Sequence, residues 1–299
     1  MIHPLCPFTS EYLYQTVFHG KKSILLEKWP EYQEPLVNDS IEESFDIMKD
    51  VISVAAAARM KGKLKRRWPL VKALIAVKEG QKSKLESLSD LLISQLNVEN
   101  VTIVETENNE GLKQISELRS KEFPVKPLVE LERKKIGPKA KQHMGKLVNM
   151  FSETDHEEIV SSLQKNSKFD FKIDGETISL DNEDFVIDFD ASEGFAVSKR
   201  DDYIVFISTT RNKEMMARGL VKDIARRLQT LRKERGYNPT DVLGVASILD
   251  LDEESLEMIK EKSEDLAFLV RVKQVNFEQS CKEYKDDDID GQKIRISVE

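Results

Sequence analysis

Apolar positions recur along this chain with two periods, and the switches between them mark its parts. Ile41, Phe45, Met48, Ile52 and Ala55 fall at helical spacing, behind an Asp39-Ser40 start with Glu43 placed as a capping box. This long helix begins acidic (Asp39, Glu42, Glu43) and ends basic (Arg59, Lys61, Lys63), as its dipole favours, with Gly62 and Pro69 bracketing its end. The unbroken apolar run Leu70–Val77 reads as a buried strand. Leu85, Leu88, Leu92 and Leu96 mark a helix over 83–96, and Val101–Val104 reads as a second strand. Residues 113–132 read as extended, with Pro124 and Pro127 signalling an edge or irregular strand. Gly137-Pro138 predicts a turn into a helix, and a short helix follows near 155–163. From 169 to 208 the period drops to two: FDFKI, ETISL, FVIDFD, GFAVSK and YIVFIS predict a small antiparallel meander. Helical spacing returns over 213–236, with Ala217, Leu220, Ile224, Leu228 and Leu231 facing a core. A strand (243–249), a helix (253–269), a strand (272–277) and an edge hairpin through DDDIDGQ complete the chain. At the other end, Met1–His19 reads as an amphipathic helix with Phe8, Tyr12, Leu13 and Val17 on one face, Thr9 or Ser10 as cap and Glu11 in its first turn. The extended stretch SILLEKWPEYQEP follows it.

The order helix, strand, helix, strand occurs twice. Pro69 leads the first strand and VTIV closes that unit; Pro239 leads the second and VKQVNF closes it. The fold class this predicts is α+β: two αβαβ units, each headed by a long helix, with the meander between them. The parts are a helical segment 1–67, a first small unit 68–112, a middle region 113–212 holding a basic helix and the meander, and a second unit with its hairpin at 213–299. A chain opening on an apolar helix with no packing partner in view reads as cut from something longer.

Charge changes this picture locally. The 299 residues carry a net charge of −8, with 39% hydrophobic and 33% charged positions, enough apolar content for folded cores. An acidic whole argues against indiscriminate nucleic-acid binding, so any such binding must be local. Ala58–Lys78 is such a place: Arg59, Lys61, Lys63, Lys65, Arg66, Arg67, Lys72 and Lys78, with no acid and with Trp68 in the middle. A second acid-free run, Arg133–Lys146, includes Lys139 and Lys141. The third basic stretch lies on the helix over 213–236, where Arg218, Lys222, Arg226, Gln229 and Lys233 share a face. Residues 152–203 are the opposite, with fifteen acids against five basic residues. Cations around a flat ring suit a phosphate backbone and an unstacked base. The bland alternative is a solvated basic face balancing the acidic meander, with Trp68 plugging the core where the strand opens.

Other chemistry is not signalled. The glycines fall into no phosphate-binding spacing, no serine sits in a nucleophile elbow, and Asp188 and Asp190 read as strand polarity. His3, His19, His143 and His156 are scattered, and Cys6 and Cys281 make no ligand spacing, so neither a metal nor a disulfide is expected. No apolar run approaches the roughly 18 residues of a membrane helix and no cleavable signal leads the chain, so the cytoplasm is the expected compartment.

Several segments carry a family resemblance. MIHPLCPFTSEYLYQTVF resembles the anticodon-domain helix of class I aminoacyl-tRNA synthetases for Ile, Val and Leu, with its P-x-x-P-F and E-x-x-Y/W pattern. ARMKGKLKRRWPLVKALIAV and LNVENVTIVE resemble a helix end, R-x-P-L, and the following strands of isoleucyl-tRNA synthetases. KKIGPKAKQHMGKLVNMF and ARGLVKDIARRLQTLRKERGYNPTD are similar to the C-terminal region of their archaeal and eukaryotic-type form. The HIGH-type and KMSKS-type ATP-binding motifs of that family have no match, nor does its bacterial cysteine-zinc module. The resemblance therefore implies a C-terminal fragment with no catalytic residue and no cofactor of its own; ATP and Mg belong to the parent enzyme. It implies a monomer that binds tRNA(Ile) at the anticodon arm, away from any membrane, for catalytic and editing domains outside the chain. The other reading is a structural or protein-interaction appendage docking on the synthetase body or a partner. Arg59, Arg66, Arg67, Trp68, Pro69 and Leu70 lie on the first matching segment, and Arg226, Arg227, Arg232 and Lys233 on the last. With Lys61, Lys63, Lys65, Lys139, Lys141, Arg218 and Lys222 added by charge, these are the candidate tRNA contacts. Lys63, Lys65, Arg66 and Arg67 are expected at phosphates and Trp68 at a base, while Arg227 is expected to pair with Asp223 one turn away.

Overall fold

A computed structural model describes residues 2–18, 22–29, 31, 34, 37–107, 110–289 and 291–299. Of the positions read above, Met1, His19, Pro30, Tyr32, Gln33, Pro35 and Asp290 lie outside this set. The chain divides into two units, residues 1–42 and 43–299.

In the first unit, α1 (Pro7–Thr16) starts on a proline, whose missing N–H is no loss in a first helical turn. Thr9 and Ser10 are not caps. They lie inside the helix, and Ser10 Oγ donates back to the carbonyls of Cys6 (2.9 Å) and Pro7 (3.0 Å). Glu11 accepts from Ser23 Oγ (2.9 Å) and Ile24 N (3.0 Å), tying α1 to a short 3₁₀ turn at Ile24–Leu26. Within this unit the apolar stripe of Phe8, Tyr12 and Val17 is exposed.

Helix α2 (Asp39–Lys61) is capped by Asn38, whose Oδ1 accepts from Ile41 N at 3.1 Å. Its buried stripe is rotated from the expected one. Met48 and Ala55 of that stripe are buried, but they are joined there by Ile47, Val51, Val54 and Ala58, whereas Ile41 and Phe45 are exposed. Then come β1 (Leu70–Lys78), two short helices α3 (Lys82–Glu86) and α4 (Ser89–Leu96) where one was expected, and β2 (Val98–Thr106). The first part of the stretch expected to be extended is instead helix α5 (Gly111–Ser120), because Ile115 and Leu118 bury one face, and the second part is the expected edge strand, β3 (Val125–Leu131). The middle continues as α6 (Arg133–Ala140), with Gly137-Pro138 inside it, then α7 (Met144–Glu153), α8 (His156–Asn166), β4 (Lys168–Ile173), β5 (Glu176–Asp181), β6 (Phe185–Ala191), β7 (Phe195–Arg200) and β8 (Tyr203–Ser208). The last unit is α9 (Lys213–Glu234), β9 (Leu243–Leu249), α10 (Glu253–Glu261), α11 (Ser263–Val270), β10 (Val272–Asn276), β11 (Lys285–Ile289) and β12 (Gln292–Val298).

The class is α+β, and the five alternating strands form locally antiparallel pairs spread over three sheets. β4 pairs with β5, β6 pairs with β3, and β7–β8 join β1 in a sheet ordered β2-β1-β8-β7. Composition explains the division. YIVFIS in β8 is buried at every position, so it belongs inside a sheet covered on both faces. Pro127 is tolerated because β3 is paired on one side only.

The second four-stranded sheet, β10-β9-β12-β11, repeats the first. Leu70 pairs with Val98 in parallel, as Leu243 does with Val272. Ala73 to Ala76 pair antiparallel with Ile207 to Ile204, as Ala246 to Leu249 do with Val298 to Arg295. Asn97 and Arg271 both turn the chain in the left-handed region just before the second parallel strand. The repeat is therefore longer than αβαβ, since each copy ends with an antiparallel hairpin. Its anchors are Leu70 and Leu243, not the two prolines. The copies differ on the second face of the sheet. In the first, Leu74 and Phe206 lie in the apolar cluster of α5 and Phe123. In the second, Ser247 and Ser297 replace them, and Tyr284 Oη donates to Ser247 Oγ at 2.8 Å.

Candidate nucleic-acid interface

The loop from α2 to β1 holds most of the first basic segment, and its side chains divide into three groups. Arg59 is buried. Its Nη1 donates to the carbonyls of Lys65 (3.0 Å) and Trp68 (3.1 Å), and its Nη2 to those of Leu96 (2.7 Å) and Asn97 (3.2 Å). Burial, with a smaller push from the like charge of Arg66, moves it down to about 10. Arg232 does the same work in the second copy, donating to Asn238 (3.2 Å), Asp241 (2.8 Å), Val270 (2.5 Å) and Arg271 (3.1 Å) carbonyls. Each guanidinium clamps the end of its long helix, the following loop and the last turn of the second helix. Both terminal nitrogens of Arg59 are thus engaged by backbone carbonyls.

The second group faces α9. Asp223, 1% exposed, is ion-paired with Arg67 and with Lys65 (3.6 Å), and accepts from Trp68 Nε1 at 3.4 Å. Arg211 lies over the Trp68 ring with 3.8 Å between guanidinium carbon and ring centroid. The ring edge rests on Gly219, where a Cβ would stand 3.1 Å from Trp68 Cδ1. Trp68 is thus half-buried between the loop and α9, with its polar edge satisfied by Asp223. Arg227 is not the partner of the Asp223 carboxylate. It donates to that residue's carbonyl (3.2 Å) and, through Nε, to Asp287 (3.3 Å).

The third group is exposed. Lys61, Lys63 and Arg66 project into solvent, and no acidic partner is recorded for them among the described residues. Lys63 sits at φ 54°, where the chain leaves the helix, so its side chain and that of Arg66 emerge on a tight turn.

In the second basic run, Lys135, Lys139 and Lys146 are paired with acids of the middle region. Lys139 bonds Asp184 (2.5 Å) and Asp181 (2.9 Å), and these bonds hold Lys139 above its ordinary value. Lys146 bonds Asp174 at 2.6 Å, Lys135 lies 3.6 Å from Glu183, and His143 sits between Asp174 and Glu176. Lys141 is exposed, in a left-handed turn. On α9, Arg218 is bridged to Glu214 (2.7 Å) and Glu99 (3.6 Å), while Lys222, Arg226 and Lys233 are exposed. Among the described residues no three metal-ligating side chains converge, and no helix is long and apolar enough to cross a membrane. Sequence patterning missed Asp223 and Arg211 as anchors. The only available sign of the role of Arg232 was its place in the repeat.

Residues 1–75 match the family of anticodon-binding domains of tRNA ligases. Over nearly its whole length the chain is similar to proteins named isoleucine–tRNA ligase. It is 25% identical to that of Thermococcus kodakarensis over 94% of this chain and 24% of the relative. The values are 27% over 99% and 27% for Clostridium kluyveri, and 27% over 98% and 29% for Saccharolobus solfataricus. The chain thus spans about a quarter of the length of these relatives.

Proposed function

We infer that this chain, a relative of the C-terminal region of isoleucyl-tRNA synthetases, binds the anticodon arm of tRNA(Ile) and positions it for isoleucylation. One observation carries the reading. The stretch matching the anticodon-binding family runs through the loop where Lys61, Lys63 and Arg66 stand exposed and uncompensated in an otherwise acidic protein. Cations so placed attract phosphate without first breaking an ion pair. Lys222, Arg226 and Lys233 extend the interface along α9, and Lys141 stands as a further cation of the middle region. Lys65, Arg67 and Trp68 support this surface through Asp223. Arg59 and Lys139, held by carbonyls and carboxylates, are outside it. The compartment, by this reading, is the cytoplasm, and ATP and magnesium act at residues other than these.

Filter binding of tRNA(Ile) across a salt series tests it. Affinity should fall steeply with salt, and Lys61→Gln/Arg66→Gln should weaken binding about tenfold and reduce the salt slope by about 2. Both changes should leave the urea midpoint unaltered, since neither side chain has a recorded partner. Equal affinity for an unrelated tRNA at physiological salt would overturn the specificity. Unchanged binding by the double variant would favour the second reading, a docking appendage, for which the exposed Leu5, Phe8 and Phe18 of the first unit speak.

A further inference from the structure

The groove between α9 and α11 has a counterpart in the first copy of the repeat, between α2 and α4, where Lys49, Ile52, Gln95 and Leu96 help line about 400 Å³, but among the described residues no aromatic stands there. The α9–α11 groove encloses about 320 Å³ and is lined by Val221, Phe268, Leu269, Arg218, Lys222, Lys262 and Asp265. Phe268 is 83% exposed at its rim. The fold does not ask for an aromatic there. The matching helix α4 superimposes by register and burial: Leu92 and Leu96 occupy the places of Leu266 and Val270, all four buried. On that alignment the first copy carries Ser94 and Gln95, both exposed, where the second carries Phe268 and Leu269. The ring stands exposed at a position that serine fills in the other copy, and with Leu269 and Val221 it makes one apolar face of the groove that a ligand can reach.

The surroundings say which ligand. Lys222 and Lys262 line the groove with no acidic partner recorded among the described residues, and Arg226 and Arg271 are exposed one step further along α9 and beyond α11. Among the described residues, the lining holds one acid, Asp265, against Arg218, Lys222 and Lys262. The helix that carries the ring is held in place: Leu266 and Val270 anchor α11, and Gln229 Nε2 donates to the Leu269 carbonyl at 2.8 Å. An aromatic face on a rigid element, flanked by free ammonium groups, matches an unstacked base with its adjoining phosphates.

We propose that this groove holds one unstacked base of single-stranded RNA against Phe268, with Lys222 and Lys262 on the flanking phosphates. The inference rests on the tRNA-binding reading and gives it a second contact, on the second copy of the repeat. The test uses the full chain with a tRNA(Ile) transcript and a ten-residue oligo(rA). Phe268→Ser should weaken both about tenfold, the loss of one stacked base, with an unchanged urea midpoint, and Phe268→Tyr should restore binding. In Phe268→Trp, the emission added over the parent protein should be quenched on saturation with either RNA. Wild-type affinity in Phe268→Ser, or unquenched emission in Phe268→Trp, would overturn the proposal. If Lys61→Gln/Arg66→Gln still weakens tRNA binding in that case, the broader reading stands alone. If the parent protein binds neither RNA at any salt, both fall.

Discussion

Two guanidinium groups hold together parts of this molecule that are distant in sequence. Arg59 and Arg232 each reach four carbonyls in two other segments, all within 3.2 Å, and the planar fork is what allows two nitrogens to serve four acceptors. An ammonium cannot reproduce that reach. Arg59→Lys and Arg232→Lys should each cost about 2 kcal/mol, and alanine at either position about 3 kcal/mol, because buried carbonyls are left unpaired. Urea denaturation measures this, and a loss below about 0.5 kcal/mol in both alanine variants would refute the clamp. At this scale the sequence was half legible. The abundance of cations at 59–67 is visible in it, but which is clamped, which is paired and which is free depends on carbonyls and carboxylates from other segments. Asp223 lies far along the chain from Arg67, and no local pattern links them.

At the scale of elements, the contact of the α2–β1 loop with α9 joins the two copies of the repeat. Gly219 makes room for Trp68, and Asp223 collects the loop's charges. Gly219→Leu should therefore expel the indole: tryptophan emission should shift to the red, a shift absent when Trp68→Phe is added. Asp223→Asn should cost about 2 kcal/mol. That is less than the full penalty for breaking a buried pair, because Lys65 and Arg67 are about 30% exposed and can turn to water. Helices and strands with strong periodicity were readable in the chain. The 113–120 segment was not, because two prolines downstream outweighed the Leu112, Ile115, Leu118 spacing. Nor was the pairing of the alternating strands, since alternation reports that a strand has two faces and not which neighbour it joins.

At the scale of the whole molecule, an acidic protein keeps its middle region together by pairing basic helices with acidic strands. Asp174 and Asp181 are held below the usual carboxylate value by hydrogen bonds from Lys146 and Lys139, and Asp250 by Arg295. A carboxyl lowered in the fold stabilises it above the unfolded value near 4 and loses that contribution as pH falls through the folded value. The urea midpoint should hold from pH 7 to about pH 5 and decline below about pH 4. Lys139→Met should make that decline shallower, and an identical acid profile in that variant would show that the pairs contribute nothing. An anion approaching Lys139 or Lys146 competes with these same carboxylates.

The sequence by itself determined the class, the repeat and the presence of local cationic stretches in an acidic chain, because periodicity, helix-end chemistry and charge are properties of neighbouring residues. Only the tertiary structure decided which of those cations face solvent. An ion pair or a carbonyl clamp forms between residues that folding brings within about 3 Å, and their separation along the chain carries no record of that approach. Arg59, Lys65, Arg67 and Lys139 are thereby bound to the protein itself, while Lys61, Lys63, Arg66 and Lys222 are left to meet a partner.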